Sequence, residues 1–240
     1  MKDFVRDDAL LRALSDPAVP VAPVSHAGVP QLNLRGDASR YRQGGKRVLD
    51  IALVLLSLPV TLPIVVLAAL ALWVESGLPF YTQERLGRNG KRFRILKLRT
   101  MVRDADVMLE RLLEEDEALR FEWARTQKLK SDPRVTRVGA VLRMTSLDEL
   151  PQLWNVLTGD MTLVGPRPMM PEQLPRYGDP QAYFALRPGL TGAWQVSARN
   201  EDTFEVRSLF DARYRVSHDL WEDLVIMWRT VGVVLRRTGY

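Results

Sequence analysis

The segment from Ile51 to Val74, IALVLLSLPVTLPIVVLAALALWV, contains no charged residue. As an α-helix its 24 residues would extend about 36 Å, more than the roughly 30 Å hydrocarbon thickness of a bilayer. It begins too far from the N-terminus, and is too long, for a cleavable signal peptide. The alternative, a helix buried in a soluble domain, is disfavoured because such long uncharged runs are rare there. The segment therefore predicts a membrane-embedded helix.

Two prolines, Pro59 and Pro63, lie a third to halfway along this segment. Proline removes a helical hydrogen bond and clashes with the preceding turn, so we expect a bend. Basic residues flank both ends: Arg40, Arg42, Lys46 and Arg47 before it, and Arg85, Arg88, Lys91, Arg92, Arg94, Lys97, Arg99 and Arg103 after it. A straight span would place one cluster on the wrong side under the positive-inside rule. We therefore favour a re-entrant helix that breaks near Pro59, with Ser57 or Thr61 satisfying the freed carbonyls, over a straight span.

The amino-acid composition excludes several kinds of functional site. The 240 residues include no cysteine, which excludes disulfides, a thiolate zinc site and a thiol nucleophile. Two histidines, His26 and His218, are too few for a histidine-rich metal site. The net charge of +5 indicates an anionic partner. Beside a membrane segment, the basic stretch 91–103 favours a lipid-phosphate surface over nucleic acid.

The chain divides into three regions. We predict a disordered tail over residues 1–40, with a short helix over Asp7–Leu14. A basic entry and the re-entrant membrane helix follow over 41–78, and a cytosolic domain over 79–240. The predicted fold is mixed α/β and mostly helical: a small domain with a β-hairpin and amphipathic interfacial helices, anchored by a helix broken at proline.

Three elements of the domain can be placed. Phe80–Thr82 and Phe93–Leu98 flank Asn89-Gly90, a pair that tolerates positive φ, which predicts a hairpin. The periodicity over Asp104–Thr126 predicts one charged helix. Ser217–Arg237 predicts an amphipathic helix rich in Trp and Arg, which would suit the lipid headgroup level or a packed core equally well.

The stretch from Thr145 to Asn155 carries the strongest candidate chemistry. Ser146 followed three residues later by Glu149 predicts a capping box, and that alone would explain the pattern. The same pattern can also be interpreted as a functional site. Asp148 and Glu149 would lie in a first helical turn, where the helix dipole keeps carboxylates ionised and can bind a phosphate. One carboxylate can then ligate a hard cation while the other attacks phosphorus. Arg143 supplies a cation that suits phosphate.

Further candidate residues lie in loops rich in glycine and proline. Arg167 lies between two prolines, so its guanidinium would lose little freedom on binding a diphosphate; a surface turn with a solvated arginine is the alternative. A second such loop spans Arg187–Gly192, and Arg199 follows it. Asp223 lies on an apolar helical face and needs a partner, a metal or a solvated rim position.

Together these motifs resemble the bacterial sugar transferases that initiate exopolysaccharide assembly, the monotopic phosphoglycosyl transferases. The resemblance runs from Lys46 to Tyr240. Its motifs, in the family's order, are Lys46–Asp50, Gln83–Gly87, Lys97–Met101, Asp132–Thr136, Ser146–Gln152, Val164–Pro168 and Arg187–Gly192. The sequence looks most like the glucosyl or galactosyl phosphate transferases of succinoglycan-type pathways. It departs from the family at Leu58, where a serine usually precedes the helix-breaking proline.

The resemblance implies a reaction and a place for it. A UDP-sugar would give its hexose-1-phosphate to undecaprenyl phosphate and release UMP, at the cytosolic face of the bacterial inner membrane. Asp148 would be the nucleophile, and Glu149 would help to hold Mg²⁺. The remaining positions implied at the active site are Arg143, Arg167, Arg199 and Asp223 as substrate or phosphate contacts, with Lys97 near the membrane face.

Two other classes of function stay open from the sequence. A membrane-bound nucleotide-sugar hydrolase would use the same carboxylates with water as acceptor. A non-catalytic membrane partner in a polysaccharide assembly complex would keep the anchor without turnover. The sequence predicts neither which hexose is transferred nor the oligomeric state.

Overall fold

The computed structural model describes residues 40–126, 129, 131–197 and 206–235. The apolar segment lies in a 31-residue helix, α1 (Lys46–Ser76), which follows a π-helical turn over Tyr41–Gly45. Within the described ranges, this is the one helix long and apolar enough to cross a membrane. Helix α1 continues through both prolines, so the re-entrant path stays a prediction. The predicted tail and its short helix lie outside the described residues, apart from residue 40.

The hydroxyl groups near the prolines do not act as predicted. The Ser57 hydroxyl donates to the carbonyl of Val54 at 2.8 Å, and the Thr61 hydroxyl donates to the carbonyl of Ser57 at 3.0 Å. Because each proline lacks an N–H, the carbonyls that lose a helical partner are those of Leu55 and Pro59. The prediction that these two hydroxyls satisfy the freed carbonyls is therefore wrong, because each bonds a neighbouring carbonyl instead.

The first turns of α1 are anchored to the rest of the protein by polar contacts. Arg47 donates to the carbonyls of Val156 and, at 2.8 Å, of Leu157. The buried Asp50 carboxylate accepts the Thr162 hydroxyl at 2.6 Å, and the backbone N–H of the next residue at 3.1 Å. These contacts hold the helix start against the body of the protein, and the bonds of Arg47 in the basic flank go to backbone carbonyls of that body.

A buried ionic cluster reinforces this anchor. Asp223 is 1% exposed and forms an ion pair with Lys46. The hydroxyl of Tyr41 donates to the same carboxylate, and the Tyr214 hydroxyl lies 2.5 Å from its other oxygen. A buried carboxylate needs this degree of compensation, since an unpaired charge in the interior is strongly destabilising. Arg42 adds bonds to the carbonyls of residues 216 and 218.

The other end of α1 contacts the same body. Leu72 is fully buried against Leu98 and Leu142, and Glu75 accepts the backbone N–H of Val138 at 3.1 Å. Between the two anchored ends, the helix exposes a long series of apolar side chains: Leu55, Leu56, Val60, Leu62, Val66, Leu67, Leu70, Trp73 and Val74. The exposed apolar middle of α1 is therefore flanked by two contacts with one compact unit, to which all described residues belong.

The predicted hairpin is confirmed. Strands β1 (Phe80–Leu86) and β2 (Arg92–Leu98) pair antiparallel, with Phe80 opposite Leu98. In the turn, Asn89 has φ 58° and Gly90 φ 75°, the left-handed geometry that this residue pair favours. β1 is longer than expected because its polar residues from Gln83 onward continue the pairing.

The predicted helix over Asp104–Thr126 is two helices, α2 (Ala105–Glu115) and α3 (Glu117–Thr126). The break is at Asp116, which has an extended backbone. Its carboxylate accepts the backbone N–H groups of Ala118 and Leu119 at 2.8 and 3.1 Å, so it caps the second helix. Side-chain periodicity does not detect this cap, because the charged face continues across it.

The remaining elements follow α3 along the chain. They are α4 (Arg137–Met144), a 3₁₀ helix (Leu147–Gln152), α5 (Leu153–Thr158), β3 (Thr162–Val164), a 3₁₀ helix (Pro171–Arg176), α6 (Gln181–Ala185), β4 (Gly189–Thr191), α7 (Ala193–Ser197), α8 (Arg207–Ser217) and α9 (Leu220–Leu235). β3 and β4 form a short parallel pair. The described fold is mostly helical with two small sheets, as predicted for its class.

Helix α9 begins later than predicted, at Leu220, because Asp219 accepts the N–H of Glu222 at 2.8 Å and so caps it. Its inner face packs Ile226 against Val164 and Tyr214. Its outer face exposes an apolar series: Leu220, Trp221, Leu224, Trp228, Val231 and Leu235. The packed-core interpretation is therefore confirmed for the inner face, and a place at the lipid headgroup level stays a prediction for the outer face.

We predict that Lys46→Met destabilises the protein strongly, because it leaves the buried Asp223 carboxylate without its cation. Breaking a buried pair in this way costs about 3–5 kcal/mol, which corresponds to a melting temperature lower by roughly 6 °C or more. Thermal unfolding in one detergent measures the change, with Arg40→Met, at an exposed position, as the control. A Lys46→Met protein that melts with the wild type would contradict the anchoring role of this ion pair.

Candidate active site

The carboxylate segment begins at an unusual backbone position. Ser146 has φ 57°, in the left-handed region, and its side chain makes no capping bond. The predicted capping box is therefore wrong. The turn is closed instead by the backbone, where Glu149 N–H donates to the Ser146 carbonyl at 3.3 Å. Asp148 and Glu149 nevertheless lie in the first turn of the 3₁₀ helix, as the sequence predicted.

Asp148 is a buried carboxylate, 9% exposed, without a hydrogen bond to any described residue. Burial raises its pKa above the ordinary value for an aspartate, and the charge of Glu149 raises it further. Lys97, Arg143 and Arg167 act in the opposite direction but do not cancel the effect of burial. The oxygens of Asp148 are thus poorly solvated and accept no hydrogen bond from the residues that the structure describes.

Glu149 is held by two cations. The ammonium of Lys97 lies 2.8 Å from Glu149 Oε1, and the Arg167 guanidinium lies 3.2 Å from the same oxygen. Lys97 comes from β2, and Arg167 from the loop that follows β3. The structure therefore brings together four of the predicted site residues, Lys97, Asp148, Glu149 and Arg167.

Arg143 reaches the site from α4. Its Nε donates to the hydroxyl of Thr100, a buried residue, at 2.7 Å. Burial lowers the pKa of Arg143, and Asp148 acts in the opposite direction, which places the guanidinium within electrostatic range of that carboxylate. Thr100 was not predicted; its only signal was its place in the 97–101 motif.

The two Gly/Pro loops form one structural unit. Gly165 N–H donates to the Thr191 carbonyl at 2.8 Å, and Gly189 N–H donates to the Pro166 carbonyl at 2.7 Å. A Cβ on Gly189 or Gly192 would lie 2.1 Å from backbone atoms of Gly165, so a side chain cannot be accommodated at either position. This backbone contact fixes the loop from which Arg167 extends toward Glu149.

Two predicted site residues are not seen beside the carboxylates. The described hydrogen bonds of Asp223 go to Tyr41, Lys46 and Tyr214 rather than to the Asp148–Glu149 pair. Arg199 lies outside the described residues.

His218 is buried against Tyr214, on whose ring it stacks with centroids 5.0 Å apart. The described hydrogen-bond contacts of the His218 Nδ1 are with backbone carbonyls of α8 rather than with either carboxylate.

The predicted Mg²⁺ stays a prediction, and the donor groups near the carboxylates bear on whether it would fit. Within the described ranges, no group of three or more His, Cys, Asp or Glu side chains comes together to hold a metal. Mg²⁺ at phosphate-transfer sites is usually bound by one or two carboxylates plus phosphate oxygens of the substrate. Asp148 and Glu149 fit that kind of site, in which the substrate completes the coordination.

An apolar cleft of about 270 Å³ adjoins the carboxylate segment. Glu149 and Ser146 line one part of it, and most of the other lining side chains are apolar. They come from the 3₁₀ helix, β3, β4, α7 and α9: Leu150, Leu163, Leu190, Val196, Met227, Val233 and Val234. Glu149 therefore borders a largely apolar cleft.

Comparison with known proteins identifies the family of the chain. The family model "Bacterial sugar transferase" matches residues 41–237. The chain is 46% identical over 208 residues to a UDP-galactose-lipid carrier transferase of Erwinia amylovora, covering 86% of this chain and 43% of that protein. It is 43% identical over 210 residues to an undecaprenyl-phosphate galactose phosphotransferase of Salmonella typhimurium, covering 87% and 44%.

A third relative, the exopolysaccharide production protein ExoY of Rhizobium meliloti, is 44% identical over 199 residues, covering 81% of this chain and 88% of that protein. The chain thus spans less than half the length of the first two relatives and most of the third. The family match covers most of the chain and includes every described residue of the carboxylate site. The chain belongs to the bacterial sugar transferase family.

Proposed function

We propose that the protein transfers hexose-1-phosphate, of the glucose or galactose type, from a UDP-sugar to undecaprenyl phosphate and releases UMP. The transfer proceeds through a covalent aspartyl phospho-sugar on Asp148 and is the first membrane step of exopolysaccharide synthesis. Relatives named for galactose transfer to this lipid, and for exopolysaccharide production, support the substrate classes.

The observation that carries the proposal is the unequal state of the two carboxylates. Glu149 is neutralised by Lys97 and Arg167, whereas Asp148 is buried and makes no hydrogen bond within the described part of the chain. A desolvated carboxylate whose lone pairs are uncommitted is the better nucleophile of the two. Asp148 is therefore the group that attacks phosphorus, and Glu149 holds the cations Lys97 and Arg167 in place beside it.

The first step is an in-line displacement. A carboxylate oxygen of Asp148 attacks the phosphorus that bears the sugar, and the bond from that phosphorus to the UMP oxygen breaks. UMP leaves with the electron pair as a phosphate monoester. Both the nucleophile and the leaving group are anions, so no proton has to move, which fits a site that does not use His218.

In the second step the direction of displacement is reversed. An oxygen of the lipid phosphate attacks the same phosphorus, and the Asp148 carboxylate leaves. A covalent intermediate of this kind lets a water-soluble donor and a membrane-bound acceptor use one site in turn. The product is a lipid diphosphate carrying the hexose.

Cations around the carboxylates stabilise the charge that accumulates during transfer. Arg143 and Arg167 are placed to bind phosphoryl oxygens, and Lys97 keeps the paired carboxylates from repelling the donor. Arg199 and Asp223 stay predictions as further substrate contacts. Mg²⁺, held by Glu149 and the donor's phosphates, would supply further charge neutralisation at the diphosphate.

A lipid acceptor is supported by the surfaces near the site. The apolar middle of α1 and the outer face of α9 are exposed and suit contact with a bilayer, and the apolar cleft adjoins Glu149. Because both ends of α1 contact the same body, a re-entrant path keeps the whole site on one side of the membrane. UDP-sugars are cytosolic, so that side is the cytosolic face of the inner membrane.

Turnover tests this proposal. Purified protein incubated with UDP-glucose or UDP-galactose, undecaprenyl phosphate and Mg²⁺ should release UMP continuously, and Asp148→Asn should lower the rate by a factor of at least about 10³. Asp104→Asn, at an exposed position with positive φ that asparagine tolerates, is the matched control. Sustained release of UMP with free sugar phosphate and no lipid would indicate the hydrolase, and no turnover by folded protein would indicate the non-catalytic partner.

The raised pKa of Asp148 also predicts a stability effect. A carboxyl whose folded pKa lies above its unfolded value stabilises most below the unfolded pKa, and that contribution is lost as pH rises through the folded pKa. Asp148→Asn should therefore raise the melting temperature at pH 7.5, by roughly 2–4 °C per kcal/mol relieved, with the gain shrinking toward pH 4.5. Thermal unfolding across this range, beside Asp104→Asn, measures it. A lower melting temperature for Asp148→Asn at pH 7.5 would show that the carboxylate is favourably solvated.

A further inference from the structure

Asn155 is a buried side chain to which the reaction described above gives no role. It lies on α5, which directly follows the 3₁₀ helix of the two carboxylates, and it is 4% exposed. Its Oδ1 accepts the backbone N–H of Leu96 at 3.0 Å, and its Nδ2 donates to the backbone carbonyl of Arg94 at 2.8 Å. Of the two orientations of an amide, only this one satisfies both backbone groups. The side chain of Asn155 is therefore directed at the backbone of β2.

These two bonds take the place of a third strand. Within the described residues, β2 pairs with β1 along one edge and with no strand along the other. Backbone groups of alternate strand residues point to the same edge, so those of Arg94 and Leu96 share the edge that Asn155 covers. An unpaired strand edge leaves N–H and C=O groups without partners. The Asn155 amide supplies the acceptor and the donor that a residue of a neighbouring strand would supply there.

The same two segments are joined a second time, beside this contact. Lys97 follows Leu96 on β2, and its ammonium lies 2.8 Å from Glu149 Oε1. Ile95, between the two residues that Asn155 binds, is 2% exposed and packs in one apolar cluster with Leu153 of α5. Strand β2 is thus fixed to the carboxylate segment by hydrogen bonds along its edge and by apolar packing, and the ion pair forms next to both.

The position of the β2 backbone matters because a lysine side chain is flexible. Its ammonium is a compact charge on a long stem, and it binds whichever carboxylate its stem can reach. The choice between Glu149 and the adjacent Asp148 therefore depends on where β2 places the Cα of Lys97. A lysine bound to Asp148 would occupy the lone pairs that the attack on phosphorus requires.

Resting on the proposed function, we propose that Asn155 is a positioning residue for the transfer. It fixes β2 at the place from which Lys97 binds Glu149, and so it leaves the oxygens of Asp148 available for the attack on phosphorus. Asn155 acts through Lys97, since its own side-chain bonds go to the backbone of β2 rather than to either carboxylate.

Hydrogen exchange in the full-length wild type tests the contact itself. The N–H of Leu96 lies on a strand edge that has no strand partner, and backbone groups at such edges ordinarily exchange fast. Because Asn155 accepts this N–H, it should be protected about as strongly as the N–H of Ile95, which points toward β1. A Leu96 N–H that exchanges as fast as that of an unstructured peptide would overturn the contact and the proposal with it.

A double-mutant cycle tests the functional role. Asn155→Asp keeps the shape of the side chain but replaces the donor to the Arg94 carbonyl with a carboxylate oxygen. It should slow the first release of UMP, at saturating UDP-sugar, by about tenfold to a hundredfold, the effect of a misplaced catalytic group. In a protein that already carries Lys97→Met, the same change should slow this release by less than about twofold, because effects that pass through one residue do not add.

The matched control for lost stability is Asp116→Ala. It removes the cap of α3 and should lower the melting temperature, yet it should leave the rate of UMP release unchanged in both backgrounds. If melting curves show that Asn155→Asp does not fold, Asn155→Ser, whose hydroxyl can still bond one of the two backbone groups, enters the same cycle with the same expected result.

The outcomes separate a positioning role from a structural one. If Asn155→Asp slows UMP release by the same factor with and without Lys97, its role is structural only, and the proposal is wrong while the transferase stands. If the wild type releases no UMP from any UDP-sugar, the proposed function falls and the positioning role falls with it, whereas a protected Leu96 N–H would still show the contact.

Discussion

The site depends on an unequal neutralisation of two adjacent carboxylates. Lys97 and Arg167 both contact Glu149, and neither bonds Asp148, which stays buried with a raised pKa. The arrangement needs three separate parts of the chain: the hairpin for Lys97, the Gly/Pro loops for Arg167, and the turn at Ser146 that directs both carboxylates inward. The same segment also borders the apolar cleft, so charge and apolar surface meet at one point.

The anchoring of α1 fixes the exposed apolar side chains of this helix relative to that point. Polar contacts at the helix start, through Arg47, Asp50 and the Lys46–Asp223 pair, tie a helix that exposes apolar side chains to the body that holds the carboxylates. At the far end, Leu72 packs against the base of the same hairpin that supplies Lys97. Packed residues thus connect the exposed apolar surface of α1 to the hairpin that supplies Lys97.

Local chemistry made parts of this structure predictable. The Asn89-Gly90 turn followed from positive φ, and the placing of Asp148 and Glu149 in a first turn followed from sequence spacing. Features that depend on the detailed three-dimensional structure could not be predicted from the sequence. The Ser146 side chain does not cap, and Asp116 divides one predicted helix into two. The buried anchor on Asp223 pairs residues 177 positions apart, and no local pattern encodes such a pairing.

The covalent loading of Asp148 is the central claim, and intact-protein mass spectrometry tests it most directly. Protein incubated with UDP-sugar and Mg²⁺, with the lipid acceptor withheld, should gain the mass of one hexose phosphate. The adduct should map to the peptide that contains Asp148, and added undecaprenyl phosphate should remove it. Product formed at full rate while no adduct is detected under any quench, or an adduct that persists in Asp148→Asn, would contradict the account.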